Sequence, residues 1–257
     1  MDRRTEVVIA GYGYVGRAYE SLLKKVNPRI CDPKFNTVPL NHNDFDAVII
    51  CVDTPTVNGQ CDMSNVIDVI KQTPPDKHIL LKSTVTIEGW SQMFAMFPDH
   101  KITFSPEFLR AKTAMQDVHN NKKIWLSKHG DCVWWANFFK EYRVPNDITV
   151  EYIPVRELIL AKQMRNAFLA VKVSYFNQIK DLCDSMNMDF DAVRSCVIDD
   201  DRIGQSHTIV EKDRGFGGHC LPKDCDALIS AHPGQTIIES AVKYNKQFKR
   251  TTHKHDH

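Results

Sequence analysis

No run of apolar residues in the 257-residue chain approaches the roughly 20 needed to cross a bilayer, so a helical membrane span is excluded. The opening Met1-Asp2-Arg3-Arg4-Thr5 passes straight into a short apolar run, without the core or cleavage site of a signal peptide. A cytoplasmic protein is therefore expected. An excess of one charge is missing too. Lys plus Arg total 33 against 32 for Asp plus Glu, and a net charge of +1 gives no footing for nucleic acid or a membrane surface. The eight cysteines, at positions 31, 51, 61, 132, 183, 196, 220 and 225, include no C-x-x-C pair and no zinc-like spacing with histidine. No metal site is expected, and in a reducing compartment most of these thiols read as free and in or near the core. What remains is ordinary: 42% hydrophobic and 25% charged residues, in a length that holds one large domain or two modest ones.

Short β-branched runs alternate with helical stretches through the first 150 residues or so. Strands are predicted over 6–10, 29–31, 46–52, 78–82, 101–104 and 123–126, and helices over 14–26, 64–72, 88–96 and 131–142. The apolar strands lack alternation, as parallel strands covered on both faces do. The expected fold class is α/β: an N-terminal Rossmann-like, doubly wound parallel sheet over 1–154. From Arg156 to Met186 there is no Pro or Gly and the apolar spacing is helical. A helix of that length connects two lobes or forms a dimer seam. Shorter helices are predicted over 189–198, 206–213, 222–231 and 235–249, which gives an all-helical second domain over 155–250 and a polar tail over 251–257.

Gly11-Tyr12-Gly13-Tyr14-Val15-Gly16 follows the first strand directly and opens the first helix. The first glycine permits the tight turn, the second lets the backbone approach a pyrophosphate, and the third allows close helix–strand packing. The phosphates then rest on the helix N-terminus. Asp32 ends the second strand sixteen residues after Gly16. A carboxylate there accepts hydrogen bonds from ribose hydroxyls and repels a 2′-phosphate, which selects NAD over NADP. Lys34 nearby weakens that selection.

A second constellation lies at Gly215-Phe216-Gly217-Gly218-His219-Cys220-Leu221-Pro222-Lys223-Asp224. The glycines allow close backbone approach to a ligand, and Pro222-Lys223-Asp224 reads as the first turn of a helix. Cys220 would sit at the positive end of a helix dipole beside cationic side chains, the setting that makes a thiolate. On the long helix, Lys162 and Asn166 are four residues apart and project from one face.

These motifs, with V-D-T-P-T (52–56), K-S-T-V (82–85), S-P-E-F-L-R (105–110), N-A-F-L-A…S-Y-F-N and D-R-I-G (201–204), stand in the order of UDP-glucose dehydrogenases. The chain resembles the UDP-glucose/GDP-mannose dehydrogenase family over nearly its whole length. That resemblance implies oxidation of a sugar C6 alcohol to a carboxylate with two NAD⁺ and one water. It also implies the roles of individual residues. Thr84 positions a water, with Asp224 as its partner and base. Lys162 and Asn166 stabilise charge on the substrate oxygen. Cys220 captures the aldehyde as a thiohemiacetal that becomes a thioester, and Glu107 assists its hydrolysis. Gly11, Gly13, Tyr14, Val15, Gly16, Asp32, Thr54, Pro55 and Thr84 would hold the NAD, and Phe108, Leu109, Arg202, Gly217 and Lys223 the nucleotide-sugar substrate. A homodimer through the helical domain is implied as well.

The sequence departs from the family at two positions and in length. Ala111 stands where the family carries the second glutamate of P-E-F-L-x-E, and His219 replaces the serine before the cysteine. Family members continue beyond the helix at 235–249 into a C-terminal UDP-binding domain, so the resemblance is to a shortened form. Its substrate is then smaller or held differently, or a partner supplies the missing domain, or catalysis is poor. Two other functions stay open: a two-electron hydroxyacid-type dehydrogenase, which needs no cysteine, and a non-catalytic NAD-binding dimer that requires a partner domain.

Overall fold

The computed structural model describes residues 5–35, 40–41, 44–57, 60–143, 147–218 and 220–248. His219 and the 251–257 tail lie outside these. The described chain divides into two compact units, the first closing at Lys162 and the second opening at Gln163.

The first unit is built on five parallel strands: β1 (Val7–Ala10), β2 (Arg29–Cys31), β3 (Ala47–Ile50), β6 (His78–Leu81) and β7 (Lys101–Phe104). Their order across the sheet is β2-β1-β3-β6-β7. Between β3 and β6 lie two very short strands, β4 (Thr56–Val57) and β5 (Gln60–Cys61), in a ladder of their own. Successive residues of the central strands go to opposite cores, which is why their sequences show no polar alternation. Val8, Ala10, Val48, Ile50, Ile79 and Leu81 pack on one face under helices α2 (Ser64–Gln72) and α3 (Ile87–Met96). Val7, Ile9, Ala47, Ile49 and Leu80 pack on the other under α1 (Tyr14–Leu22), α4 (Ala114–Asn120) and α5 (Cys132–Tyr142). The expected doubly wound α/β architecture is therefore present. The order reverses at β1 and β3, so the loops leaving their carboxyl ends part to opposite faces and open a crevice.

Besides the short β4 and β5, strand β9 (Thr149–Ile153) and helix α4 escaped the sequence pattern. Strand β9 pairs in parallel with β8 (Lys123–Ser127) and is only half-buried, so it lacks the apolar run that marked the others. Helix α4 is short and follows a single 3-10 turn at Ala111–Thr113. Helix α1 ends at Leu22 instead of 26, because the chain turns and Asn27 takes a left-handed φ of 54°.

Helix α6 (Val155–Ser185) is the long helix anticipated from the sequence; its first turns belong to the first unit and the rest to the second. In the second unit, Phe176, Cys183 and Phe190 form a small core with Ile179, Val193, Val197 and Val210, closed by α7 (Phe190–Ile198). Helices α8 (Cys220–Ala231) and α9 (Thr236–Asn245) complete it. The helix expected over 206–213 is absent: this stretch is turns and irregular chain. Thr208 Oγ1 donates to the Gln205 carbonyl and accepts from Arg194 Nε, and His207 has a φ of 62°. A side-chain hydroxyl that satisfies the backbone locally competes with the helix. Among the described residues no helix is long and apolar enough to cross a membrane.

Gly16 lets α1 lie against the turn after β1, since a Cβ there would stand 2.1 Å from the Gly11 carbonyl oxygen. Backbone cannot yield as a side chain can. Gly16→Ala is expected to destabilise the fold by about 2–3 kcal/mol, whereas Gly13→Ala, whose Cβ would meet nothing within 4 Å, should change it by less than about 1 kcal/mol. Urea unfolding of the two variants measures the contrast.

Candidate active site

The glycine loop leaves β1 at the reversal of strand order. Gly11 adopts a φ of 91°, and a Cβ there would lie 2.7 Å from the Cys51 and Val52 backbone, so the turn is as tight as its sequence demands. Gly13 caps α1 without a side chain, and no acidic residue occupies the first helical turn. The amide end of the helix is left open toward the space above Gly13, which suits a pyrophosphate. Asp32 is held at the end of β2 by two backbone amides, Tyr12 N–H to Oδ2 at 2.7 Å and Lys34 N–H to Oδ1 at 2.9 Å. Each carboxylate oxygen thus accepts a backbone N–H, which orients the group at the end of the strand. Beside it Tyr12, Ile30, Lys34 and Phe35 line a shallow pocket. These residues fit a dinucleotide.

At the carboxyl ends of β6 and β7 the first unit buries a polar cluster. Lys162, from the second turn of α6, is 4% exposed, and its Nζ donates to Thr84 Oγ1 at 2.7 Å and to Glu107 Oε1 at 3.3 Å. The other Glu107 oxygen accepts from the Leu109 amide at 2.7 Å. Thr84, Glu107 and Lys162, which the sequence placed far apart, therefore meet. Leu109 is partly buried against the α1 side of the sheet, and Thr54 is buried in the loop after β3.

The sequence pattern missed Lys82, the first residue of K-S-T-V. It is 2% exposed, with Nζ donating to Ser105 Oγ at 3.0 Å and the Pro106 carbonyl at 3.2 Å, and it stands 4.8 Å from the centre of the Tyr19 ring. Burial pulls its pKa down to about 7, with Lys162 adding to that and Cys51 and Glu107 opposing it. A lysine closing the apolar run H-I-L-L-K was the available signal.

In the second unit Cys220 is half-buried and is itself the first residue of α8, so the helix begins two residues earlier than Pro222 suggested. One turn on, Asp224 is 1% exposed; its Oδ2 accepts from Asn166 Nδ2 of α6, while Oδ1 has no hydrogen-bond partner among the described residues. Gly217 and Lys223 are partly buried on either side of the cysteine. Arg202 is exposed and its guanidinium is engaged by Asp200 of the same turn. Ala111 is exposed at the start of the 3-10 turn. Among the described residues no group of three or more His, Cys, Asp or Glu is placed to hold a metal.

A doubly wound sheet with an open glycine loop at its crevice, joined by a long helix to a helical unit, defines a dinucleotide-binding protein of the dehydrogenase type. Residues 32–131 match the NAD-binding domain of the UDP-glucose/GDP-mannose dehydrogenase family, and residues 157–247 match its central domain. The chain belongs to that family. It is 27% identical over 216 residues to the UDP-glucose 6-dehydrogenase YwqF of Bacillus subtilis, covering 78% of this chain and 48% of that protein. The chain thus spans about half the length of the curated relatives it matches. A UDP-glucose dehydrogenase structure from Pyrobaculum islandicum superposes with a TM-score of 0.78 at 23% identity, covering 95% of this chain and 68% of that one. A 3-hydroxyisobutyrate dehydrogenase from Mycobacterium tuberculosis shares the fold with a TM-score of 0.65 at 15% identity, over 95% of this chain and 94% of that one.

The buried ammonium of Lys82 gives a signed stability prediction. Its folded pKa, near 7, lies below the ordinary lysine value of 10.5. Between those values the unfolded chain binds the proton and the folded chain does not, so this group's destabilising contribution is full below pH 7 and fades as pH rises toward 10. The stability difference of Lys82→Met relative to wild type should therefore be most favourable near pH 7 and decline steadily to pH 9.5. Urea unfolding at both pH values checks this; a constant difference contradicts it.

Proposed function

We propose that the chain is an NAD-dependent dehydrogenase that takes the C6 alcohol of a nucleotide sugar to the carboxylate, with Cys220 as nucleophile. The carrying observation is the buried meeting of Thr84, Glu107 and Lys162, in a chain whose two matched domains belong to this family.

Gly11, Gly13, Tyr14, Val15 and Gly16 would hold the pyrophosphate of NAD, Asp32 its ribose, and Thr54 and Pro55 the chain beside it. NAD⁺, when bound, takes up one hydride in each oxidation, two in all. The Lys162 ammonium and the Asn166 amide supply donors to the substrate oxygen as it gains charge. Cys220 adds through Sγ to the aldehyde carbon, so the intermediate is tethered and no aldehyde escapes. The second oxidation leaves a thioester. A water positioned by Thr84 cleaves its C–S bond, with the proton passing to Asp224, and the freed thiolate regains a proton. The open Oδ1 of Asp224 supports that role. Glu107 holds Lys162 in place and assists hydrolysis. Phe108, Leu109, Arg202, Gly217 and Lys223 are assigned to the substrate.

A homodimer belongs to the same proposal. Phe168, Tyr175 and Leu182 recur at seven-residue spacing on α6 with 66%, 56% and 59% of their surface exposed. Such a stripe suits a second copy of the helix.

Purified protein with NAD⁺ and a panel of UDP- and GDP-sugars should form two NADH per sugar consumed, and Cys220→Ser should abolish that stoichiometry. Unchanged turnover in Cys220→Ser would establish a two-electron enzyme instead. NAD⁺ binding without turnover would overturn catalysis by this chain alone and leave a partner-dependent or non-catalytic NAD-binding protein. In solution at micromolar concentration, light scattering should give twice the chain mass, and Phe168→Glu combined with Leu182→Glu should halve it; a monomeric wild type removes the dimer.

A further inference from the structure

Upstream of Cys220, residues 214–218 turn repeatedly through left-handed backbone. Arg214, Gly215 and Gly218 have φ values of 58°, 61° and 76°. For arginine this left-handed region costs about 1–2 kcal/mol, so other contacts must fix it. They come from two asparagines on separate helices of the second unit.

Asn177, in the middle of α6 and 1% exposed, accepts through Oδ1 from the Gly215 amide at 2.8 Å and from Arg214 Nε at 3.1 Å. Its own carbonyl accepts from Arg214 Nη2 at 2.8 Å. Asn245, the last residue of α9, grips Phe216 at two points: Oδ1 accepts from the Phe216 amide at 2.6 Å, and Nδ2 donates to the Phe216 carbonyl at 2.8 Å. A Cβ at Gly215 would stand 2.3 Å from Asn245 Oδ1, so only glycine lets that amide close in. The Arg214 guanidinium is further tied to Asp181 and lies 5.1 Å from the centre of the Phe248 ring.

Asparagine is a poor helix former, and its side chain competes for backbone groups. Here Asn177 Oδ1 and both polar atoms of the Asn245 amide are spent on the backbone of Gly215 and Phe216, five and four residues before the cysteine. Asn177 Nδ2 donates to the Val173 carbonyl. We infer that Asn177 and Asn245 are positioning residues that clamp residues 214–216 and so set where Cys220 enters α8. The inference rests on the proposed nucleophilic role of Cys220. A reacting atom displaced by about 1 Å loses on the order of 100-fold in rate, so a clamp on its approach acts on kcat.

The test is the rate at which iodoacetamide alkylates each cysteine, read by peptide mass spectrometry. Asn177→Ala and Asn245→Ala should raise the Cys220 rate by about fivefold or more as the loop opens locally, while buried Cys183 and Cys225 stay protected. Asn177→Asp keeps the acceptor for Gly215 and Arg214 while losing the Nδ2 bond to the Val173 carbonyl, and its Cys220 rate should stay below that of Asn177→Ala. In turnover, the alanine variants should lose about 10-fold or more in kcat with KM little changed. Wild-type Cys220 alkylation in both alanine variants overturns the clamp. Should those variants unfold, exposing Cys225 as well, hydrogen exchange on the unmodified chain decides. The Gly215 and Phe216 amides should exchange about 100-fold slower than in a free peptide, and free-peptide rates overturn the inference. Cys220→Ser, assayed alongside, separates the outcomes: retained turnover removes the nucleophile without touching the alkylation and exchange results.

Discussion

The constraint on which the first unit depends is the burial of the Lys162 ammonium between Thr84 and Glu107. A charge with 5% of its side chain exposed is tolerable only with partners, and removing one partner of such a pair is far more damaging than replacing both. The requirement fixes three segments at once. The first turns of α6 must lie over the carboxyl ends of the strands, where Leu158 and Ile159 join the α2–α3 core. The loop after β6 must present Thr84, and the loop after β7 must turn Glu107 inward, which its bond from the Leu109 amide secures. Lys82 adds a second buried amine beside a single carboxylate; its burial is what chiefly lowers its pKa, with the Lys162 charge adding to that. Apolar residues of the same volume would be more stable there.

Much of this was legible in the sequence because the physics was local. Val7 to Ala10 and Ala47 to Ile50 are apolar without alternation, since each residue meets one of two cores. The glycine spacing of 11, 13 and 16 reports a turn, an opening and a close contact, each of which the geometry reproduces. Other features were not local. Nothing in T-V-E-Y-I announces a strand when its residues are only half-buried. The 206–213 stretch has helix-compatible spacing, yet Thr208 bonds to Arg194 and to its own turn. Lys82, Asn177 and Asn245 look like ordinary surface or helix residues until the fold gives them partners. A side chain's role is readable in advance only when its partner is near in sequence or its type is rarely used otherwise.

The second unit solves a different problem. Its apolar burial, at Phe176, Cys183, Phe190, Phe216, Cys225 and Leu228 among others, does not by itself define its loops. Definition comes instead from side-chain amides and charges bonded to backbone. Lys172 Nζ donates to the carbonyls of Ile203 and Gly204, which fixes the D-R-I-G turn against α6. Ser174 Oγ donates to the Ala241 carbonyl, joining α6 to α9. Such bonds contribute only about 1 kcal/mol each to stability, but they are directional. They specify positions that apolar packing would leave loose.

The two carboxylates of the proposed chemistry differ in a way that sorts their roles. Glu107 has both oxygens engaged, one by the Lys162 ammonium and one by the Leu109 amide. A carboxylate so held is well suited to orienting a cation. Asp224 has one oxygen held by Asn166 and the other buried without a partner among the described residues. A buried acceptor left open carries a free-energy penalty of about 1–3 kcal/mol, which a water or a substrate hydroxyl would relieve on arrival. An acceptor kept open at that expense, one helical turn from Cys220, is placed to receive a proton. In the proposed chemistry Asp224 would then take the proton in thioester hydrolysis, while Glu107 holds Lys162 and assists.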